Sequence, residues 1–239
     1  MSLFHSLEHA TQISWVFWSA LFSAALLLGT GLLVRSRLAG VGGGVVPDEG
    51  LSLRNVYEML VEMLSGLAEQ NMGPKWRSYF PMIATLFFFI LISNLVGMIP
   101  GIDGATSDAS TTWAWAVLSF LLHQYVGIRE HGFGYVKHFL GPSLYDLKVG
   151  GKTYHLRLLA PLYAPIELLS HLSRVFTLAV RLLANMFADH TVVAVWVGLV
   201  PFAIPAIFMG LGVLVAFLQA YVFAMLSMIY IGLALEEAH

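Results

Sequence analysis

One arginine in a long apolar region is the residue whose presence most needs a chemical explanation. Arg181 lies within a region from Leu158 to Leu235 that is apolar almost without interruption. A charged side chain at the centre of a membrane helix costs about 2.5–3.5 kcal/mol on insertion scales. Such a residue either marks a functional site or joins helices by pairing with a carbonyl or a carboxylate, and the sequence leaves both interpretations open.

Polar residues accompany Arg181 along one line of the predicted helix. At ~100° per residue they fall within about 40° of that line, whereas the rest of the helix surface is mainly Leu, Val, Ala, Phe and Met. A polar stripe at membrane depth must face protein or water rather than lipid. The members of this polar stripe are Glu167, Ser170, Arg174, Thr177, Arg181 and Asn185.

The composition is that of an integral membrane protein. Of the 239 residues, 58% are hydrophobic and 11% are charged, and the mean hydropathy is +0.79. Soluble domains carry about 25% charged residues. The alternation of a membrane β-barrel is absent from the sequence, so the chain is predicted to be an all-α protein in a lipid bilayer. The net charge of −2 gives no reason to expect a nucleic-acid partner.

The apolar segments predict about five transmembrane helices and one amphipathic surface helix. A membrane helix needs about 20 apolar residues. The amphipathic segment instead has apolar residues on one helix face and glutamates among its polar residues. The predicted transmembrane helices are residues 12–34, 79–99, 113–127, 158–200 and 206–235, and the amphipathic helix is residues 51–70.

The basic residues predict the orientation of the chain, because Lys and Arg collect on the cytoplasmic side. Arg35 and Arg37 directly follow the first predicted helix, so the N-terminal segment 1–11 is predicted outside. By the same rule the acidic loop 101–112 is predicted outside and the basic loop 128–157 in the cytoplasm. The tail 236–239 is predicted in the cytoplasm if the last two helices cross the membrane and return.

Metal and cofactor sites are not predicted. Cysteine is absent, and the sequence contains neither a glycine-rich nucleotide motif nor a cluster of metal ligands. His5 and His9 are four residues apart, so a metal site on a helix is conceivable, but a solvated terminus is the favoured interpretation.

The last two predicted helices are longer than the membrane is thick. A helix from about Ile166 to Val200 would measure ~50 Å, and one over 206–235 would measure ~45 Å. The hydrocarbon layer is ~30 Å thick. The two segments are therefore predicted to form a strongly tilted hairpin joined at Pro201 and Pro205.

Two motifs resemble subunit a of the F-type ATP synthase. The first is Arg-Leu-Leu-Ala-Asn-Met at 181–186, and the second is Leu-Gln-Ala-Tyr-Val-Phe at 218–223. Ser93-Asn94-Leu95 ahead of Pro100, and the final Glu-Glu-Ala-His, are also similar to that family. The strong match covers the C-terminal third of the chain.

The resemblance implies a proton-conducting stator that is not catalytic alone. Two aqueous half-channels would meet near Arg181, which would face the carboxylates of a rotating c-ring, and proton flow would be coupled to ATP synthesis elsewhere in the complex. The implied partners are the c-ring, the peripheral-stalk b subunits and the rest of the complex, in an energy-transducing membrane such as a bacterial inner (plasma) membrane. The implied proton-path residues are Glu167, Thr177, Asn185, Asp189, His190 and Gln219, with Gln219 expected to hydrogen-bond Arg181. The alternative for Glu167 is a carboxylate at a helix end near the interface, and for Thr177 and Asn185 it is plain hydrogen bonding between helices.

One departure from the family concerns the outer half-channel. Many members carry an acidic residue and a histidine, one on each long helix. His190 occupies the first of these positions, whereas Gly212 occupies the second. The resemblance therefore implies an outer half-channel that relies on His190, Asp189 and water.

Two other functions compete with this interpretation. A secondary transporter or anion channel could bind its substrate at Arg181, although neither inverted repeats nor broken helices are visible. A purely structural assembly subunit is the second alternative, and only an assay of proton flux distinguishes it from the stator.

Overall fold

Helices make up most of the described chain. The computed structural model describes residues 3–40, 50, 52–99, 101–132, 145–149, 152–156, 160–199 and 203–235. The helices are α1 (Leu3–Thr11), α2 (Trp15–Gly40), α3 (Leu53–Met72), α4 (Trp76–Gly97), α5 (Ala109–His131), α6 (Ala160–Leu199) and α7 (Ala203–Leu235), and the strands are β1 (Tyr145–Val149) and β2 (Lys152–Leu156).

The prediction of an all-α membrane protein is confirmed. Four helical stretches of the described chain have the length and composition to cross a membrane. The third predicted transmembrane helix, 113–127, corresponds to α5, which carries more polar residues and is not among the four, so its crossing stays a prediction. The four stretches are Trp15–Ser36, Leu53–Gly97, Val175–Leu199 and Ile204–Leu235.

The N-terminal segment differs from its prediction as a polar terminus. Residues Leu3–Thr11 form helix α1, whose Phe4 is 3% exposed. The backbone N–H of Leu3 donates to the carbonyl of Gly101 at 3.0 Å. Helix α1 is therefore attached to the loop that follows α4, a long-range contact that no local sequence pattern indicates.

The amphipathic helix α3 begins and ends at residues suited to those positions. The side chain of Ser52 accepts a hydrogen bond from the N–H of Asn55, and the helix ends at Gly73, whose φ of 61° favours glycine. Leu64 and Ala68 on its apolar face are fully buried, and the helix contacts α4 and α7. The apolar face therefore packs within this chain, while a position at the membrane surface stays a prediction.

Two contacts of α3 follow from its close packing. Arg54, expected on the polar side, is buried, and its Nε lies 2.7 Å from Oε1 of Glu58. At the other end of the helix a Cβ added to Gly232 of α7 would lie 2.1 Å from the carbonyl oxygen of Asn71. Only glycine allows this approach of α7 to the α3 backbone.

Helices α4 and α7 form the centre of the bundle. Ile83, Phe87 and Ile90 of α4 are completely buried, as are Ala224 and Met228 of α7. The core that they form also receives residues from α3, α5 and α6. In lipid, such contacts stabilise helices by close packing rather than by removal of apolar surface from water.

The predicted outside loop 101–112 folds back into the bundle. Its residues Ala105–Ser107 form a 3₁₀ turn, and the hydroxyl of Thr106 donates to Oδ1 of the buried Asn94 at 2.7 Å. A Cβ on Gly104 would lie 2.6 Å from the carbonyl oxygen of Ser93, so glycine permits the close approach of this loop to α4.

Two parts of the predicted cytoplasmic loop 128–157 have regular secondary structure among the described residues. Helix α5 continues to His131 and ends at Gly132, which has a φ of 55°. Strands β1 and β2 pair antiparallel, with Tyr145 opposite Leu156 and Val149 opposite Lys152. The predicted tail 236–239 lies outside the described residues.

Both long C-terminal helices are present and pack against each other. Helix α6 has 40 residues and α7 has 33, which correspond to about 60 Å and about 50 Å at 1.5 Å per residue. Helix α7 begins at Ala203 rather than at residue 206, because Pro205 fits the first helical turn, where its missing N–H costs no bond. Their strong tilt stays a prediction.

Candidate functional site

Arg181 lies near the middle of α6, at the boundary between two faces of that helix. Its neighbours Leu178 and Leu182 are 4% and 0% exposed and face the bundle, whereas Val180 is 40% exposed. Arg181 itself is half-buried, and it has no hydrogen bond or ion pair with any residue that the structure describes. The described contacts therefore give no support to the interpretation that Arg181 joins helices of this chain.

The polar contact next to Arg181 joins Asn185 to Gln219. Nδ2 of Asn185 on α6 donates to Oε1 of Gln219 on α7 at 2.7 Å, and Gln219 is 4% exposed. Among the described contacts the expected Gln219–Arg181 bond is therefore not found. Asn185 lies one helical turn beyond Arg181 on the polar stripe, and its short side chain meets the α7 amide across the helix interface.

The other members of the polar stripe differ in what the structure describes. The exposed hydroxyl of Thr177 donates to the carbonyl of Ser173 in its own helix at 2.7 Å. Its described hydrogen bond is therefore not with Arg181. Glu167 and Arg174 lie in α6, but their side chains are outside the described residues.

A cleft of about 430 Å³ lies between the loop after α4, the C-terminal part of α6 and the start of α7. Its ionisable lining residues are Asp189 on α6 and Asp103 in the loop, and most of the other side chains are apolar. The cleft also contains Met186, one residue after Asn185, so it reaches the level of the Asn185–Gln219 bond along α6. The cleft is large enough to admit water, and its two aspartates can each carry an exchangeable proton close to the polar stripe.

Gly212 forms part of the cleft wall opposite Asp189. A Cβ added at position 212 would lie 3.9 Å from Cγ of Asp189 and 2.8 Å from Cε of Met98. The end of the Met98 side chain thus occupies the space beside Gly212, and a side chain at position 212 would have to displace it. His190 follows Asp189 in α6, but its side chain lies outside the described residues.

Asp103 is a site residue that sequence reasoning missed, since it was used only to place its loop outside. Its backbone carbonyl accepts a hydrogen bond from the hydroxyl of the buried Ser19 on α2 at 2.7 Å. Two glycines of the same loop, Gly101 and Gly104, allow it to bend back towards α4. The two glycines indicated that this loop could pack closely against a helix, but they do not indicate which acidic residue of the loop turns inwards.

A second buried polar cluster lies between α5 and α7. The hydroxyls of Ser119 and Ser227 are 2.8 Å apart, and the nearby His123 is 6% exposed with its ring centroid 6.3 Å from that of Tyr230. No role was predicted for these residues from the sequence. The hydrogen bond between Ser119 and Ser227 ties α5 to α7 within the apolar core.

Fold and site together define a class of protein. The chain is an all-α, multi-pass membrane protein. It has a half-buried arginine at the middle of one long helix and an acidic cleft further along the same helix.

The comparison with known proteins identifies the family. The family model described as ATP synthase A chain matches residues 16–232, so the chain belongs to that family. It is 44% identical over 214 residues to ATP synthase subunit a 1 of Syntrophotalea carbinolica, covering 90% of this chain and 82% of the relative. It is 41% identical over 213 residues to ATP synthase subunit a of Bdellovibrio bacteriovorus, covering 89% and 87% of the two chains.

Family membership confirms the resemblance drawn from the two motifs. It associates the chain with ATP synthesis and proton transport as a membrane subunit of the ATP synthase complex, not as an enzyme by itself. A third relative, ATP synthase subunit a of Geobacter sulfurreducens, is 42% identical over 208 residues, which are 87% of this chain and 84% of the relative. The transporter alternative is therefore set aside.

Proposed function

We propose that this chain is the proton-conducting stator of the ATP synthase membrane sector, and that Arg181 faces the carboxylates of the c-ring. The supporting observation is the position of Arg181, half-buried on α6 with no pairing group among the described residues. Lipid cannot cover a guanidinium at this depth. A partner that carries carboxylates within the membrane supplies the missing charge.

The chemistry of Arg181 in this setting is electrostatic. A fixed positive charge beside a passing carboxylate favours the ionised form and lowers the carboxylate pKa. The c-ring carboxylate would therefore release its proton as it approaches Arg181. Arginine stays protonated where lysine loses its proton, and its charge repels hydronium, which prevents a direct leak between the half-channels.

The acidic cleft is proposed as the outer half-channel. Asp189 lines the cleft across from Gly212, which carries no ionisable side chain, so Asp189 is the group that can exchange a proton with water there. His190 is the neighbouring candidate relay, because histidine changes charge near neutral pH. Asn185 and Gln219 hold α6 against α7 at the level between this cleft and Arg181.

The remaining proposals concern the inner side, the partners and the location. Glu167 and Thr177 precede Arg181 on the polar stripe and are assigned to the inner half-channel. The partners are the c-ring, the b subunits of the peripheral stalk and the rest of the complex, in a bacterial inner membrane. The N-terminus is outside and the C-terminus inside, as the positive-inside rule predicts.

The experiment that tests this function is the Arg181→Ala variant of the assembled complex in membrane vesicles. ATP-driven proton pumping and proton-driven ATP synthesis are expected to fall by about 100-fold or more, the effect of losing one preorganised electrostatic group. Val180→Ala, next to Arg181 but on the exposed face, is the matched control and should change neither activity.

Two outcomes decide between the interpretations. If the complex assembles, pumping disappears and passive proton conduction remains, Arg181 couples proton flow to rotation and also seals the half-channels. If Arg181→Ala pumps at the rate of Val180→Ala, the stator mechanism is wrong and Arg181 has a structural role.

A further inference from the structure

Helix α1 is attached to the mouth of the acidic cleft. The N–H of Leu3 donates to the carbonyl of Gly101, and the buried Phe4 has its ring centroid 5.9 Å from that of Phe22 on α2. Gly101 and Asp103 both line the cleft. The first turn of α1 is thus held against the loop segment that forms one wall of the cleft.

Three titratable side chains meet at this place. Nε2 of His5 lies 3.7 Å from Oδ2 of Asp103, and its Nδ1 lies 3.1 Å from Oε2 of Glu8. All three side chains are between 36% and 40% exposed, so they contact both solvent and the interior. His5 therefore contacts the loop as well as solvent, and the interpretation as a solvated terminus did not include the contact with the loop.

The described contacts of His5 come from three elements. Glu8 faces it from its own helix and Asp103 from the loop, while α2 contributes the uncharged ring of Trp15 at a centroid distance of 5.1 Å. His9 lies in the last turn of α1 and is exposed. The histidine next to the cleft residue Asp103 is therefore His5.

We infer that His5 and Asp103 form a proton-collecting pair at the mouth of the outer half-channel, which makes α1 a working part of the proton path. Histidine is the residue type that gains and loses a proton between about pH 5 and 8. A proton taken from solvent by His5 can pass to Asp103, which lines the same cleft as Asp189. This inference rests on the proposed function, since it assumes that protons move through the cleft.

The pair should matter where protons are scarce. At low pH on the α1 side, direct protonation of the cleft carboxylates is frequent enough without a collecting group. At high pH, delivery by His5 should raise the rate of proton uptake. The expected gain is about two- to fivefold, which corresponds to the free energy of a solvent-exposed ion pair.

The test is proton-driven ATP synthesis by the complete complex in liposomes. The pH on the α1 side is varied from about 5.5 to about 8.5, across the histidine range, while the total driving force is kept constant with a potassium potential. His5→Ala is expected to reduce the rate about two- to fivefold at the alkaline end and to leave it unchanged at the acid end. Asp103→Asn should show the same dependence on pH.

His9→Ala is the matched control, because it removes the same side chain one helical turn away. It should behave as the unmodified complex at every pH. His5→Gln, which retains hydrogen bonding but cannot carry a proton at these pH values, should reproduce the defect of His5→Ala. A merely structural role of His5 would instead be rescued by glutamine and would lower the rate equally at all pH values.

The inference is overturned if His5→Ala matches His9→Ala at every pH, or if its effect is independent of pH. Arg181→Ala separates this failure from that of the proposed function. If Arg181→Ala is inactive while His5→Ala is normal, only the role of His5 is wrong. If Arg181→Ala is fully active, the stator mechanism itself fails.

Discussion

Helices α4 and α6 are both long and apolar, yet they are covered very differently. In the stretch Leu53–Gly97, which contains α4, 67% of the most apolar window is buried within the chain, compared with 12% in Val175–Leu199 of α6. Helix α4 therefore acts as the internal support of the bundle. Helix α6, which carries Arg181 and Asp189, presents most of its surface to whatever surrounds the chain.

This difference separates stability from function along the sequence. The side chains of α4 find their partners in α3, α5 and α7, so the chain alone satisfies them. An exposed apolar face in a membrane needs no further explanation, but the half-buried Arg181 on the edge of that face does. We therefore expect changes in α4 to affect folding and changes in α6 to affect proton transport.

After Arg181→Ala, the largest effect is expected for Asp189→Asn in α6. The variant removes an exchangeable proton from the cleft while preserving shape, so proton-driven ATP synthesis should fall by about 100-fold, the lower range for a lost proton-transfer group. Assembly should be unchanged. Rates in membrane vesicles and the content of this chain in the purified complex measure the two properties.

The neighbouring His190→Ala and the nearby exposed Thr191→Ala sharpen this result. His190→Ala should slow proton flow without uncoupling it, and Thr191→Ala should have little effect because its hydroxyl donates only to the carbonyl of Phe187 in its own helix. If Asp189→Asn retains full activity while His190→Ala is inactive, the relay is His190 and the cleft assignment of Asp189 is wrong.

The second prediction compares two phenylalanines, one on each helix. Phe87 of α4 is completely buried, and Phe87→Ala should destabilise the chain by roughly 2 kcal/mol. This is less than the ~3–5 kcal/mol of a water-soluble core, because lipid solvates apolar groups as well as a core does. Phe187 of α6 is 71% exposed, and Phe187→Ala should change the free energy of unfolding by less than about 0.5 kcal/mol.

Thermal aggregation of the detergent-solubilised variants measures the difference between the two phenylalanines. Leu95→Ala removes an exposed side chain from α4 itself. It tests whether a truncation in α4 is destabilising when the side chain is not buried. Equal destabilisation by Phe87→Ala and Phe187→Ala would show that the two helices are covered alike in the assembled protein.

The smallest effect concerns an ion pair at the start of α4. Lys75 precedes this helix and contacts Glu130 near the end of α5, and the hydrogen bond from Lys75 is the main reason why the pKa of Glu130 lies below its ordinary value of 4.5. A lowered carboxyl pKa stabilises the fold above the unfolded pKa, and this contribution is lost as the pH falls through the folded pKa.

Glu130→Gln should therefore lower the unfolding temperature slightly at neutral pH, and the difference from the unmodified chain should disappear as the pH falls below 4.5. Calorimetry at several pH values measures it. High salt should reduce the same difference, because Lys75 is exposed and Glu130 is partly exposed. A difference that persists in strong acid would contradict the ion-pair explanation.

The sequence was sufficient for the class of fold, since long apolar segments determine where membrane helices form. It also singled out Arg181, because a charge in an apolar helix is costly whatever its partners are. The partners themselves could not be predicted. Gln219 was expected to meet Arg181 but meets Asn185, since helix rotation and separation decide which of two neighbouring polar groups is in reach.

The helix α1 and the inward turn of Asp103 were beyond sequence reasoning for a similar reason. Leu3 and Gly101 are brought together by the packing of α1 on α2 and of the loop on α4, and no local pattern encodes such a pairing. Polar segments near the termini of a membrane protein have similar sequences whether they are solvated or packed against the rest of the chain. The two histidines of α1 differ only in what the fold places beside them.

The contact between Asn71 and Gly232 has a consequence for the synthesis of the protein. Helix α3 leaves the ribosome about 160 residues before the part of α7 that packs against it, and Leu64 and Ala68 on the apolar face of α3 are buried in the folded chain. At ~5–20 residues per second, that face waits roughly 8–30 s for its final cover. During this interval the membrane surface, or a chaperone, must cover the apolar face of α3 in place of α7. In a chain truncated before α7, that temporary cover would never be replaced.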